Sequence, residues 1–193
     1  MGEVEGQVRN EELDAELEAR RRAALAQIRQ YPDVALRMQA RPVEEFDEAL
    51  ATLAERMTRL MQEARGVGLA ATQIGIVRRV LVYQPGEDEP VRALVNPVLV
   101  SSSDERVTED EGCLSLGAAT VIVPVERAER VTVEASTPSG EPIGVEAGGL
   151  EARILQHEFD HLDGVLTIDR TAPEHRREAL AKLRPQPVLA PFR

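Results

Sequence analysis

Helical patterns near both ends of the chain, and a group of strand patterns between them, predict a protein of the α+β class. The chain has 193 residues, which is enough for one domain with a hydrophobic core of its own. Its content of 42% hydrophobic and 30% charged residues is typical of globular proteins. We expect a single catalytic domain over residues 23–184, preceded by a mobile or helical extension (residues 1–22) and followed by a loose, proline-rich tail (residues 185–193).

Charge and apolar spacing define the helices expected before the strands. Acidic residues followed by three arginines suit the dipole of a short exposed helix within residues 11–22, which would continue through residues 23–30 and end at Tyr31-Pro32. Pro42 is expected to open a second helix. Its apolar residues recur at spacings of three and four and would form one buried face: Phe46, Leu50, Leu53, Met57, Leu60, Met61 and Ala64.

The middle of the chain is expected to consist of strands and turns. A glycine-rich stretch at residues 66–75 lets another backbone approach closely, and it lacks the Lys-Ser/Thr pair of a phosphate-binding loop. Residues 101–109 are polar and are predicted to be a connection. Apolar or alternating segments predict strands at residues 79–83, 94–100, 121–125, 130–135 and 143–145. Near the C-terminus, a short strand at residues 165–168 and a helix beginning at Pro173 are expected.

Composition excludes several functions. The net charge of −11 argues against bulk binding to nucleic acid or to anionic membranes. No apolar run approaches the roughly 20 residues of a membrane span, and residues 1–18 lack the apolar core of a signal peptide, so we expect a cytoplasmic protein. Cys113 is the single cysteine, which makes an intramolecular disulfide impossible. Its thiol is either an inert core group or a reactive or metal-binding one.

The segment His157-Glu158-Phe159-Asp160-His161 has the HExxH pattern of metal-dependent hydrolases. Residues four apart on a helix share a face, so His157 and His161 could bind one ion as neutral imidazoles. Glu158 would lie roughly 100° around the helix, where its carboxylate could take a proton from water on the ion. Leu150 and Ile154 continue the same face, which is expected to be apolar and buried. An exposed amphipathic helix without an ion is the alternative.

A catalytic metal site needs a third protein ligand, with one position left for water. Cys113 is the strongest candidate, because a thiolate suits iron(II) and zinc and because Gly112 before it allows an unusual backbone. Glu111 could act in the outer shell of the site or orient the loop. An inert, buried Cys113 stays open as an alternative. The other possible ligands are Asp160, Asp163 and His175.

Three segments together resemble one known family. They read GVGLAATQIG (residues 66–75), EGCLS (residues 111–115) and QHEFDHLDG (residues 156–164), and they occur in the same order and at similar separations as three signature motifs of the peptide deformylases. The resemblance covers most of the chain, about residues 25–183. It implies an α+β fold in which mixed or antiparallel sheets pack around a central HExxH helix, with helices at the N-terminal side and one at the C-terminal side. It also implies removal of the formyl group from N-formylmethionine of newly synthesised proteins, with release of formate.

The resemblance also implies roles for individual residues. The expected metal ligands are Cys113, His157 and His161. The ion would be iron(II), with zinc, nickel or cobalt as substitutes. Glu158 would act as general base and then as general acid, while Gln73 and the backbone N–H of Leu114 would donate to the developing oxyanion. The residues expected along the bound peptide are Val67, Gly68, Glu111, Gly112 and Ile154.

The expected partners are N-formylmethionyl nascent chains, bound by a monomer that has no DNA or membrane partner. The basic last helix could dock on the ribosome, with a solvated surface helix as the alternative reading. The sequence departs from the family pattern at residues 116–119, where an apolar residue and a proline are usual. It departs again near Pro124, where a basic residue is usual and Arg127 is the nearest cation. The N-terminal extension has no counterpart in the shortest members.

Two other classes of protein compete with this interpretation. A metallopeptidase of the general HExxH kind would take its third ligand farther along the chain, where His175 and a few acids remain. An inactive relative that only binds formylated chains or the ribosome is the second rival. The presence of both Glu158 and Gln73 argues against it.

Overall fold

The computed structural model describes residues 2–183, with side chains described from residue 14. The expected tail at residues 185–193 lies outside this range. The helices are α1 (Gly2–Leu25), α2 (Glu48–Glu63), α3 (Gly149–Leu162), α4 (Thr167–Arg170) and α5 (Pro173–Leu183). The strands are β1 (Gly68–Ala70), β2 (Val80–Tyr83), β3 (Arg92–Ser102), β4 (Arg106–Gly112), β5 (Ile122–Ala128), β6 (Arg130–Ser136) and β7 (Pro142–Gly148).

The strands form two antiparallel sheets. Five strands pair in the order β1-β2-β3-β6-β7, and β4 pairs with β5 in a separate two-stranded sheet. Helix α3 contacts strands of both sheets, namely β1, β2, β6 and β7 of the larger one and β5 of the smaller one. The segregation of helices from antiparallel sheets makes this an α+β fold. The position of α3 matters for function because this helix carries the HExxH segment.

Helix α2 shows how the sequence pattern produces packing. It is capped by Asp47, whose carboxylate accepts a hydrogen bond from the Leu50 N–H at 2.9 Å. Its apolar stripe is buried and contacts β1 and β2. The helix therefore begins at Glu48, and the expectation that Pro42 opens it is wrong. Phe46, which was assigned to the stripe, precedes the helix and is 39% exposed.

Four further expectations from the sequence are wrong. The first helix was expected to continue through residue 30, but α1 ends at Leu25. Residues 165–168 were expected to form a strand, but α4 begins at Thr167, because a short apolar run does not distinguish a strand from a buried helical turn. The polar segment 101–109 was expected to be a connection, but its end belongs to β4. The pairing of β4 with β5 compensates for the small number of apolar residues in β4. Leu150 is 56% exposed, although the face that it shares with Ile154 was expected to be buried. The five predicted strands of the middle region and the helix beginning at Pro173 are confirmed.

Within the part of the chain that the structure describes, none of the helices has the length and apolar character that crossing a membrane would require.

Candidate active site

The thiol and the two imidazoles come together at one point. Cys113 lies in the turn that follows β4, while His157 and His161 lie one helical turn apart on α3. One potential ligand atom from each residue lies within 4.8 Å of the others. The Cys113 Sγ lies 3.2 Å from the His161 Nε2. A mid-chain turn and a late helix thus supply a set of three converging donors.

These three donors fit a divalent ion of the iron(II) or zinc type, which binds sulfur and imidazole nitrogen. Burial lowers the pKa of His161 well below its ordinary value, so its ring is neutral and can donate an electron pair. The three alternative ligands do not join the set. Asp160 is bound by Arg127 and Arg170, Asp163 pairs with Arg79, and His175 is exposed on α5.

Glu158 is a buried carboxylate beside the three donors. Its side chain lies against Gly68, where an added Cβ would approach the Glu158 Oε1 to 2.3 Å. The residue is 3% exposed, and among the described residues its Oε2 has no hydrogen-bond partner. Burial is the main reason that the pKa of Glu158 is raised, from about 4.5 to about 7. A carboxyl group with such a pKa can both accept and donate a proton near neutrality.

Glu111 is a second buried carboxylate, and it has partners on both oxygens. Its Oε2 is 3.0 Å from the Nδ1 of His157. The guanidinium of Arg127 donates to both carboxylate oxygens at 2.9 Å. Burial alone would raise the pKa of Glu111, but the hydrogen bonds from His157 and Arg127 outweigh it and lower the pKa to about 2. Glu111 is therefore ionised, and it orients the His157 ring so that Nε2 faces the other donors.

Glu111 belongs to a larger group that we call the ion-pair cluster: Glu111, Arg127, Arg153, Asp160 and Arg170. Arg127 bridges Glu111 and Asp160, with its Nη1 2.5 Å from the Asp160 Oδ2. Arg153 donates to Glu111 at 2.8 Å and to two backbone carbonyls of β4 and β5. Arg170 donates to Asp160 from the exposed side. This cluster was not foreseen from the sequence, because residues that are hydrogen-bonded within it, such as Glu111 and Arg153, are up to 42 positions apart along the chain.

Gln73 is held in place by hydrogen bonds on both sides of its amide. Its Oε1 accepts from the Ala70 N–H at 2.8 Å, and its Nε2 donates to the Ser115 Oγ at 3.2 Å. The same Nε2 is 3.9 Å from the Cys113 Sγ. Gln73 is 1% exposed, so its amide is a fixed, uncharged donor next to the thiol.

The turn that carries Cys113 is fixed by a residue that the sequence did not single out. The Nε2 of Gln30 donates to the Leu114 carbonyl at 2.8 Å, and its Oε1 accepts from the Ala118 N–H at 3.2 Å. The Ser115 N–H donates to the Cys113 sulfur at 3.4 Å. Gln30 precedes Leu114 by 84 residues, and no local pattern links the two.

A cavity of about 250 Å³ opens onto this site. Its lining includes all five residues that were expected along the peptide: Val67, Gly68, Glu111, Gly112 and Ile154. It also includes Gln73, Cys113, Leu114, His157 and Glu158. Ala119, from the loop at residues 116–119 that was expected to border the substrate groove, is also in the lining, and the lining residues that were not foreseen are Arg65, Gly66, Asp110, Leu150 and Arg153.

An HExxH helix with a nearby thiol, a buried carboxylate of raised pKa and an open cavity defines the class of hydrolases that act through a bound metal ion. Comparison with known proteins narrows this class. The sequence profile of the family described as polypeptide deformylase matches residues 25–177. The peptide deformylase of Acidothermus cellulolyticus is 46% identical over 161 residues, which are 83% of this chain and 87% of that protein. The one from Natranaerobius thermophilus is 45% identical and is matched over 97% of its length.

Solved structures agree with the sequence comparison. A crystal structure of a peptide deformylase from Legionella pneumophila aligns with a TM-score of 0.76 at 44% identity, covering 81% of this chain and 91% of that one. The peptide deformylase of Thermotoga maritima aligns with a TM-score of 0.72 at 42% identity, covering 76% and 97%. The chain belongs to the peptide deformylase family. It is a metal-dependent hydrolase that removes the formyl group from the N-terminal methionine of proteins.

Proposed function

We propose that this chain performs the deformylation through Cys113, His157 and His161 as metal ligands and Glu158 as the group that transfers protons. The observation that carries the proposal is the convergence of one sulfur and two imidazole donors next to the buried carboxyl group of Glu158. We further propose that α3 is the central helix of the fold. Its contacts with both sheets support this, because they hold the HExxH face against the turn of Cys113.

The ion is proposed to be iron(II), with zinc, nickel or cobalt as substitutes, because a thiolate with two imidazoles suits all four. When bound, it supplies a Lewis acid that makes hydroxide available near neutral pH. Glu158 accepts the proton of the attacking water and passes it to the leaving amine. Burial raises the pKa of Glu158 above that of an ordinary carboxyl group, which helps it to hold this proton before it passes to the amine.

Gln73 and the backbone N–H of Leu114 are proposed to donate to the oxygen that becomes negative when the formyl carbon is attacked. The amide of Gln73 is pre-oriented by Ala70 and Ser115, so little reorganisation accompanies the reaction. One such donor in a site without water is worth roughly 3 kcal/mol.

The substrate is proposed to be an extended N-formylmethionyl peptide that lies along the cavity wall. Val67, Gly68 and Gly112 would contact its backbone, and Ile154 would contact a side chain. The positions of these residues around the cavity support this proposal. For Glu111 the contacts favour the outer-shell alternative, because both of its oxygens are already bound by protein groups.

We place the catalytic domain at residues 23–184, in a monomer that works in the cytoplasm. Ala24 and Ile28 are buried in the core, which supports including the end of α1 in the domain. A chain beginning at residue 23 should therefore keep its deformylase activity. The ribosome is a further proposed partner, through the exposed Arg177 and Lys182 of α5. Cosedimentation with ribosomes that is unchanged when both are replaced by Glu would count against it.

The first experiment is formate release from formyl-Met-Ala-Ser, measured on protein purified without oxygen, together with metal analysis. We expect one ion per chain in the wild type and in Glu158→Gln, but turnover only in the wild type. Equal turnover by the two proteins would remove Glu158 from its proposed role. Loss of the ion from Glu158→Gln would mean that the variant reports on metal binding instead of proton transfer.

The second experiment tests the third ligand and separates this proposal from a general HExxH peptidase. Cys113→Ala should lose the ion, while His175→Ala should keep it. The reverse result would support a ligand supplied from α5. Cys113→Ala and His175→Ala each change one side chain outside α3, so neither variant alters the HExxH helix itself.

A further inference from the structure

Arg65 occupies a backbone conformation that favours glycine. Its φ is 57°, directly after the end of α2. The Arg65 N–H donates to the Gln62 carbonyl at 3.0 Å, and the Gly66 N–H donates to the Met61 carbonyl at 2.9 Å. These two bonds define a Schellman motif, in which the residue at this left-handed position is usually glycine. An arginine there is strained, and such strain is found where a side chain has a functional task.

Arg65 is a lining residue of the active-site cavity whose side chain pairs with the N-terminal helix. Arg65 is exposed and belongs to the cavity lining. Its Nη2 lies 3.1 Å from the Glu18 Oε1 of α1. Both side chains of this pair are about half exposed, so the pair is screened by water and is readily exchanged for another partner.

Arg65 is within reach of a peptide that extends out of the site. It is three residues before Gly68, which lies against Glu158, and three residues of chain span at most about 10 Å. An extended substrate also advances about 3.3 Å per residue. A peptide that left the formyl site along this wall would therefore have its third and fourth residues at about the distance of Arg65 from the site.

We propose that Arg65 is a specificity-determining residue that favours substrates with acidic side chains at the third and fourth positions, and that Glu18 of the N-terminal helix competes with the substrate for it. The inference rests on the proposed function, since it takes the cavity as the peptide groove. The protein carries a net charge of −11, which disfavours acidic peptides in general. Arg65 is an exposed cation at the groove, whereas the other arginine of the lining, Arg153, is buried and paired with Glu111. The N-terminal helix thereby tunes the site without entering it.

Asp110 of β4 also lines this cavity and is exposed. Its charge favours basic side chains and partly offsets that of Arg65. The informative quantity is therefore the change in preference caused by a substitution, and not the preference of the wild type alone. A charge effect of this kind also decreases at high salt, because the groups are exposed.

The test measures kcat/KM for amidated peptides formyl-Met-Ala-Xaa-Xaa, in which Xaa is Glu, Gln or Lys. We expect Arg65→Glu to lower the ratio of the Glu peptide to the Lys peptide by about 5- to 10-fold and Arg65→Gly by about 3-fold. Glu18→Gln should raise the ratio about 2-fold. Arg59→Glu is the matched control, because Arg59 is an exposed residue of the same helix outside the cavity lining. It should leave the ratio within 2-fold of the wild type.

The outcomes separate this inference from the proposed function. If the wild type releases formate from the Gln peptide but Arg65→Glu and Arg59→Glu have the same ratio, the inference is overturned and the function stands. If the wild type releases no formate from any of the three peptides, the proposed function fails first. Arg65→Gly guards against misfolding, since glycine relieves the left-handed backbone, and an unchanged ratio in this well-folded variant would also overturn the inference.

Discussion

Two carboxylates near the metal-ligand set differ in the direction of their pKa shift and in their hydrogen-bond partners, although both are buried. Glu158 is 3% exposed and has a pKa of about 7, while Glu111 is 6% exposed and has a pKa of about 2. Burial by itself would raise the pKa of both carboxyl groups. Only Glu111 has hydrogen-bonded cationic partners, in particular Arg127, which donates to both of its oxygens.

The difference shows how one small region supports two tasks. The ion-pair cluster compensates each of its buried charges and so fixes the His157 ring through Glu111. Among the described residues, the Oε2 of Glu158 has no hydrogen-bond partner, which costs stability but produces a group that exchanges protons near neutral pH. We expect the cluster to control stability and the cavity wall to control turnover.

The largest expected effect comes from breaking the cluster. Arg127→Met would leave Glu111 and Asp160 buried without their shared cation, and we expect a loss of about 3–5 kcal/mol in the free energy of unfolding, measured with urea. Arg130→Met is the matched control, because its pair with Glu105 is exposed, and it should cost less than about 1 kcal/mol. Equal losses in the two variants would show that the cluster is not a special source of stability.

The second expected effect is a gain in stability, caused by replacing Glu158, and it depends on pH. In the metal-free protein, Glu158 keeps a proton between pH 4.5 and about 7 that the unfolded chain has lost, so stability falls as the pH rises through this window. Glu158→Gln cannot ionise. It should match the wild type below pH 4.5 and exceed its free energy of unfolding by about 3 kcal/mol above pH 7.

Glu111→Gln provides the contrast for this measurement. The pKa of Glu111 is lowered, so its contribution to stability is present above pH 4.5 and is lost as the pH falls toward about 2. This variant should therefore be less stable than the wild type at neutral pH, and the deficit should shrink in acid. If both variants shifted stability in the same direction at pH 8, the contrast between the two carboxylates would be wrong.

Sequence reasoning reached those parts of the site that depend on short spacing. The i, i+4 relation of His157 and His161 follows from helical geometry, and the structure brings the two together with Cys113. Cys113 was the strongest candidate for the third ligand because its thiolate suits the ion, and the family motifs agreed, although no local pattern connects it to α3. Strand pairing, in contrast, overrode the polar composition of β4, which could not be recognised from its sequence.

The ion-pair cluster could not be predicted for a related reason. Arginine and acidic residues are common on surfaces, so neither Arg127 nor Asp160 stands out until the fold buries them together. Their sequence separation of 33 residues carries no information about distance in space. The same holds for Gln30, whose contact with Leu114 depends on the packing of the segment after α1 against the turn of Cys113.

A third effect, of intermediate size, tests whether uncharged hydrogen bonds hold the turn of Cys113 as the charged cluster holds His157. Gln30→Ala removes the bonds to the Leu114 carbonyl and the Ala118 N–H, and we expect a loss of about 1–2 kcal/mol in unfolding free energy and about 10-fold weaker metal binding. Gln27→Ala is the control, since Gln27 contacts only the exposed Arg56 among its side-chain hydrogen bonds in the described region. Unchanged metal affinity in Gln30→Ala would show that the turn is held by its other contacts.

The smallest expected effect concerns Arg65 in the cavity lining, where the backbone is strained, in contrast to the ion-pair cluster, where buried charges are compensated. Arg65→Gly relieves the left-handed backbone at the end of α2, and we expect a net gain of about 0.5 kcal/mol after the loss of the exposed pair with Glu18. Arg59→Gly places glycine inside the same helix and should lose about 1 kcal/mol. Urea unfolding of both variants measures the difference, and a loss of stability in Arg65→Gly would mean that the Arg65 side chain stabilises the fold more than its backbone strains it. A gain in stability together with a lost preference for acidic peptides would show that this arginine is retained for the substrate at a cost to the fold, as Glu158 is retained for proton transfer.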